Sequence, residues 1–228
     1  MNHDIQAIIF DFDGTILNTE AAEFMALHEV FTAHGAHISH DDVVPYIGGE
    51  IEIPWVDILT ERATSPIHHA TLHTTKIHAA RRHVESLTPR AGILDLLAEA
   101  QAAGIVMGIA SNAPRNWVDG HINRLGIRHY FGAIRGVDDV SVGKPHPGLY
   151  LDVCRLVGAD PDHSIAIEDS APGAAAAVAA GLTCIACPTQ ITRHADFHPA
   201  AIRIDTLDGM KLHDLATLHH QRLTATRR

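Results

Sequence analysis

The sequence predicts an α/β protein: a doubly wound parallel sheet, interrupted after its first strand by an all-helical insertion. Three observations carry this. Short, almost continuously apolar runs recur at wide intervals, as expected for strands covered on both faces. Helical patterns lie between them, each followed by a glycine. Residues 18–87, in contrast, contain helical patterns and no convincing strand.

Taken in order, strands are expected at 5–10, 105–110, 164–167, 183–186 and, more weakly, 201–204. Helices are expected at 91–103, 114–125, 147–157 and 171–180. Gly104, Gly126, Gly158 and Gly181 follow them, where a helix C-terminus favours glycine. Within the insertion, 21–34, 51–62 and 67–83 read as helices, separated by Gly35, Pro45, Gly48-Gly49 and Pro66. The expected division is therefore a core of 1–17 and 88–228 carrying a second small domain at 18–87. No internal repeat or heptad pattern is present.

Composition narrows the function. A chain of 228 residues with 46% hydrophobic and 19% charged residues has enough apolar material for an ordinary soluble core. Its formal net charge of −10 argues against a nucleic-acid partner, because phosphate backbones are held by Lys and Arg. Nothing resembles a signal peptide or a membrane span of about 20 apolar residues. Three sparse cysteines, Cys154, Cys184 and Cys187, fit a cytoplasmic location. Cys184 and Cys187 have C-x-x-C spacing without a second pair, and read as buried strand residues.

The chemistry concentrates at the predicted strand ends. Strand one runs into Asp11-Phe12-Asp13-Gly14-Thr15. Ligands of open α/β sheets bind at the carboxyl ends of strands, so both aspartates stand where a site is expected. Read alone, the segment is equally a polar turn, since Asp-Gly is a common turn dipeptide. The next strand ends in Ser111-Asn112-Ala113-Pro114, which by itself reads as a helix cap. Then comes Gly143-Lys144-Pro145-His146-Pro147. Only three of the 17 basic residues are lysines, which singles out Lys144 as a compact ammonium charge. A further strand ends in Glu168-Asp169-Ser170. Asp11, Asp13, Glu168 and Asp169 together offer hard oxygen ligands suited to Mg²⁺, and four carboxylates brought together need a cation.

The ordered set D-F-D-G-T, S-N, G-K-P-x-P and E-D-S-x-x-G resembles the four motifs of the haloacid dehalogenase superfamily. More particularly it is similar to the phosphatase and β-phosphoglucomutase-like branch, and the likeness runs from about Ile5 to Pro188. That resemblance implies a Rossmann-like core with a helical cap at 18–87, hinged near 17–19 and 86–90. It implies that Asp11 is the nucleophile, forming an aspartyl-phosphate, and that Asp13 is the general acid and base. It assigns Mg²⁺ to Asp11, the carbonyl of Asp13, Asp169 and, directly or through water, Glu168. Ser111, Lys144 and the backbone around Asn112 would bind the substrate phosphate.

The expected function is hydrolysis of a small phosphorylated metabolite, a sugar or polyol phosphate, by a monomer or small homo-oligomer. Asp13 argues against a dehalogenase, since dehalogenases of the superfamily lack this second aspartate. The alternative is a phosphomutase. Against it, the corresponding cap stretch Pro45-Tyr46-Ile47-Gly48-Gly49-Glu50-Ile51-Glu52 has no Arg or Lys to grip a second phosphate. A catalytically silent binding module is a third reading, disfavoured by the intact Asp11, Asp13, Lys144 and Asp169. The pairs His69/His73 and His194/His198 and the group His34, His37 and His40 read as solvated or capping residues rather than metal ligands. His68, His73 and His78 are further candidates for substrate contact.

Overall fold

The structure, a computed structural model, describes residues 5–43 and 53–226. The predicted cap stretch 45–52 lies outside the described residues. Two compact units divide at Leu17/Asn18 and at Thr88/Pro89.

The first unit is a six-stranded parallel sheet flanked by helices. Strands β1 (Ala7–Phe10), β2 (Val106–Ala110), β3 (Ala133–Arg135), β4 (Ser164–Glu168), β5 (Thr183–Ala186) and β6 (Ile202–Arg203) take the order β3-β2-β1-β4-β5-β6. This is the doubly wound order, whose direction reverses between β1 and β4. β1 is central because both of its faces are apolar: Ala7, Ile8, Ile9 and Phe10 are all completely buried. It pairs Ile8 with Met107 on one side and with Ile165 on the other.

The helices of this unit are α4 (Ile93–Ala102), α5 (Arg115–Arg124), α6 (Gly148–Val157), α7 (Ala171–Ala179) and α8 (Leu212–Thr226). The alanines of α7 are small enough to let its backbone approach the sheet, and Ala174, Ala176 and Ala177 are fully buried there. Two elements went unpredicted. β3 is only three residues long, and α8 contains three histidines that blur its apolar stripe.

The second unit contains α1 (Thr19–Ala33), α2 (Trp55–Arg62) and α3 (His69–Ser86), so the insertion is helical as expected. Asn18 caps α1, its side chain accepting from the Ala21 N–H. Leu27, Val30, Phe31, Ile38, Val43, Trp55, Leu59 and Leu72 form the core of this unit. Arg62 closes it with a two-armed contact on Asp42 at 2.7 and 2.8 Å. Arg62, with help from Ser39, holds the Asp42 carboxyl well below the usual carboxylate range. His34 donates its Nδ1–H to the Val30 carbonyl oxygen of its own helix end, at 2.8 Å. No helix of the described residues is long and apolar enough to cross a membrane.

Candidate active site

The two strands at the reversal of sheet order, β1 and β4, and β2 beside β1 each deliver one piece of the site. Asp11 follows β1, and its N–H still bonds to the Ile167 carbonyl of β4 at 2.9 Å. Ser111 follows β2 and is tied to Arg135 of β3 in the same way, at 3.0 Å. Glu168 ends β4 and Asp169 comes next. The functional side chains therefore leave rigid, hydrogen-bonded backbone.

Between β1 and α1 the chain turns tightly. Gly14 has φ +86, and a Cβ there would lie 2.1 Å from the Asp169 Oδ2 atom. Only glycine suits both demands. Arg90 braces the turn: its N–H bonds to the Ile16 carbonyl, and its guanidinium donates to the carbonyls of Gly14, Cys187 and Pro188.

Lys144 is the pivot. The loop carrying it is held by Asn112, whose side chain accepts from the Lys144 N–H at 2.7 Å and donates to the Lys144 carbonyl at 3.1 Å. Its ammonium lies 2.6 Å from Asp11 Oδ1 and 2.6 Å from Glu168 Oε1. Burial by itself opposes this charge, but Asp11 and Glu168 outweigh it and hold the ammonium above its ordinary range. Burial pushes the Asp11 carboxyl up to about 7; Lys144 works against that and Glu168 with it.

Glu168 is fully buried and saturated. Oε1 accepts from Lys144 and from the Tyr150 hydroxyl, also at 2.6 Å. Oε2 accepts from the N–H groups of Asp169 and Ser170 and from the Ser170 hydroxyl. Burial, then Glu168 and Asp11, keep the Tyr150 phenol well above its usual range, so it remains a donor. Gly173 lies against this carboxylate: a Cβ there would come within 1.9 Å of Oε1. Gly173→Ala must therefore displace Glu168. Overpacking of this kind costs about 1–3 kcal/mol, and turnover falls with it because Lys144 loses a partner. Urea denaturation alongside an activity assay checks both.

Three of the four predicted carboxylates converge; the Asp13 side chain is not in the group. Ligand oxygens of Asp11, Glu168 and Asp169 lie within 4.8 Å of one another, and all three residues are buried. This is the one metal-capable group of three or more such residues among the described residues, so the histidine sets form none. The hydroxyls of Thr15 and Thr192 orient Asp169 from 3.3 and 3.4 Å. Three buried carboxylates against one ammonium leave negative charge over, and hard oxygens are the donors that Mg²⁺ takes. The donor set fits such an ion.

Asp13 is half-buried, and its Oδ1 accepts from the Trp117 indole N–H at 3.1 Å. Ser111 is buried, with its hydroxyl accepting from the Ala113 N–H at 3.0 Å. Tyr150, Thr192, Arg90 and Trp117 carry no signal in the sequence that distinguishes them from packing or surface residues. Cys154, Cys184 and Cys187 are free and buried, and burial raises each thiol above its ordinary range.

A profile of the haloacid dehalogenase-like hydrolases matches residues 8–187. The chain belongs to that family. Within it, the phosphatase branch supplies the relatives. The Bacillus subtilis (strain 168) protein YhcW, provisionally named a phosphatase, is 33% identical over 208 residues, spanning 91% of this chain and 94% of YhcW. Hexitol phosphatase B of Escherichia coli (strain K12) is 26% identical over 92% of this chain and 96% of its own. Crystals of CbbY from Rhodobacter sphaeroides hold phosphate; that structure is 29% identical, with a TM-score of 0.70 over 92% of this chain and 99% of CbbY. A mutant of CbbY was crystallised with xylulose-(1,5)-bisphosphate. This hydrolase is accordingly an enzyme of the phosphatase branch, with a Rossmann-like α/β core.

Proposed function

We propose that this hydrolase is a Mg²⁺-dependent phosphomonoesterase acting on a small sugar or polyol phosphate through an aspartyl-phosphate on Asp11. The observation that carries the proposal is the Asp11–Lys144–Glu168 arrangement: a buried carboxylate held at 2.6 Å by an ammonium that a saturated glutamate anchors from behind. Residues 18–87 are read as the family's cap.

Asp11 attacks phosphorus, and the ester oxygen leaves as Asp13 protonates it. A water then gives its proton to Asp13 and attacks the phosphorus of the aspartyl-phosphate, which returns Asp11 as a carboxylate. Lys144, the Ser111 hydroxyl and the N–H of Asn112 bind the non-bridging oxygens, where transition-state charge spreads. The Asn112 side chain serves Lys144 instead. Asp11, the Asp13 carbonyl and Asp169 would hold Mg²⁺, with Glu168 reaching it through water because its oxygens already accept five hydrogen bonds. Bound Mg²⁺ supplies positive charge to the phosphoryl group. Accelerations of phosphomonoester hydrolysis approach ~10²¹, so no single group suffices.

The test is a panel of phosphorylated sugars and polyols assayed for inorganic phosphate, with Mg²⁺ and with excess EDTA. Release with Mg²⁺ and its loss in EDTA, restored by added Mg²⁺, is the expected outcome. Interconversion of a hexose 1-phosphate and 6-phosphate without phosphate release would instead establish the mutase. Mg²⁺ binding with no turnover of any panel member would establish the silent module.

A further inference from the structure

Asp13 has to donate a proton in one half-reaction and accept one in the next, and its contact with Trp117 bears on both. An indole N–H can only donate. The Asp13 Oδ1 atom facing it is therefore an acceptor whether the carboxyl is neutral or ionised, and in a neutral carboxyl the carbonyl oxygen is the stronger acceptor. The contact thus favours the proton on Oδ2.

Trp117 is itself held in place. It sits in the first turn of α5, and His121 follows one turn later on the same helix. The two rings meet edge to face, with centroids 4.3 Å apart and planes at 72°. His121 in turn stacks on Phe12, at 6.2 Å and 26°. Phe12 is fully buried and lies between Asp11 and Asp13 in the chain. The indole is thus referenced to the same strand end that carries both aspartates. Packing does not explain its presence: the buried residues of α5 are Val118 and Ile122, while Trp117 is 37% exposed.

We infer that Trp117 is a positioning residue for Asp13, fixing Oδ1 so that Oδ2 carries the proton in both half-reactions. The inference rests on the phosphatase reading above. In the first half-reaction Asp11 forms a bond to phosphorus and the ester P–O bond breaks. The Oδ2–H bond of Asp13 breaks as its proton passes to the departing oxygen. In the second, a water O–H bond breaks, its proton returns to Oδ2, and the water oxygen bonds to phosphorus as the Asp11–phosphorus bond opens. The products are the alcohol and inorganic phosphate, and Oδ1 keeps its indole partner throughout.

Proton donation matters for an alkyl leaving group and little for p-nitrophenolate, which departs unprotonated. The experiment compares kcat/KM, which reports the steps through P–O cleavage, for p-nitrophenyl phosphate and for the alkyl monoester turned over fastest in the panel above. Trp117→Phe is expected to lower the alkyl-to-aryl ratio about tenfold, a part of the 10²–10⁴ that a positioned acid contributes. Asp13→Ala should lower the ratio further, and adding Trp117→Phe to it should change the ratio no more. The aryl ester also monitors folding of each variant. An equal fall for both esters, or a ratio that Trp117→Phe lowers further in the Asp13→Ala background, overturns the inference. If the wild type hydrolyses neither class of ester, it is the phosphatase reading that fails.

Discussion

Asp11→Asn is expected to lower phosphate release by about 10⁴-fold or more, the scale on which removal of an acting nucleophile falls. An amide has the carboxylate's shape and none of its nucleophilicity. The fold should survive, for a reason the structure supplies. Burial disfavours the Asp11 charge, pushing its pKa up to about 7, so a neutral isostere relieves a desolvation penalty. It also gives up an ion pair with Lys144, but the asparagine carbonyl can still accept from Nζ, and Glu168 remains as counter-ion. These changes oppose one another, and the net shift in unfolding free energy should stay within about 1–2 kcal/mol. Turnover assays, urea denaturation and acid-quenched labelling of the protein by substrate phosphate make the comparison. A variant that keeps turnover within tenfold of wild type, or a wild type labelled elsewhere than Asp11, would remove Asp11 as the nucleophile.

The site was readable in the sequence to the extent that it is built from strand ends. An apolar run ending in Asp11, or in Glu168-Asp169, states both where the strand stops and which groups face a ligand. The sheet order then brings β1, β2 and β4 side by side. What the sequence could not state is how those groups are held. Tyr150 lies on the buried face of α6, and periodicity reports burial without reporting that its hydroxyl ends on Glu168. Trp117 reaches Asp13 across 104 residues of chain, and no local pattern encodes such a contact. Asn112 stood in the expected motif, yet its side chain turns to the backbone of Lys144. β3 has three residues, too few to display a period. In each case the missing information is long-range, and propensity and periodicity are local quantities.

Lys144→Met tests the opposite balance, because here the removed group is the only cation among the hydrogen-bond partners of Glu168 and Asp11 described above. Methionine fills the volume and leaves the Asp11 and Glu168 carboxylates buried without their shared ammonium. Removing one partner of a buried ion pair costs about 3–5 kcal/mol, and this lysine serves two. Tyr150 cannot replace it: its hydroxyl already donates to Glu168, and the phenol stays protonated. Unfolding free energy should therefore fall by about that amount and turnover by at least ~10³-fold, since an electrostatic stabiliser of the transferring phosphoryl group is lost. The two losses can be separated. Adding Glu168→Gln to Lys144→Met removes the stranded charge while keeping an acceptor for Tyr150, and should restore at least half of the lost stability. Activity should not return, because the ammonium is still absent. Lys144→Arg keeps the charge but needs space for a planar fork where the structure has a single atom 2.6 Å from both carboxylates, so it too should remain inactive. Were the double variant to regain turnover along with stability, Lys144 would be a structural counter-ion only, and the phosphoryl charge would have to be met by other groups.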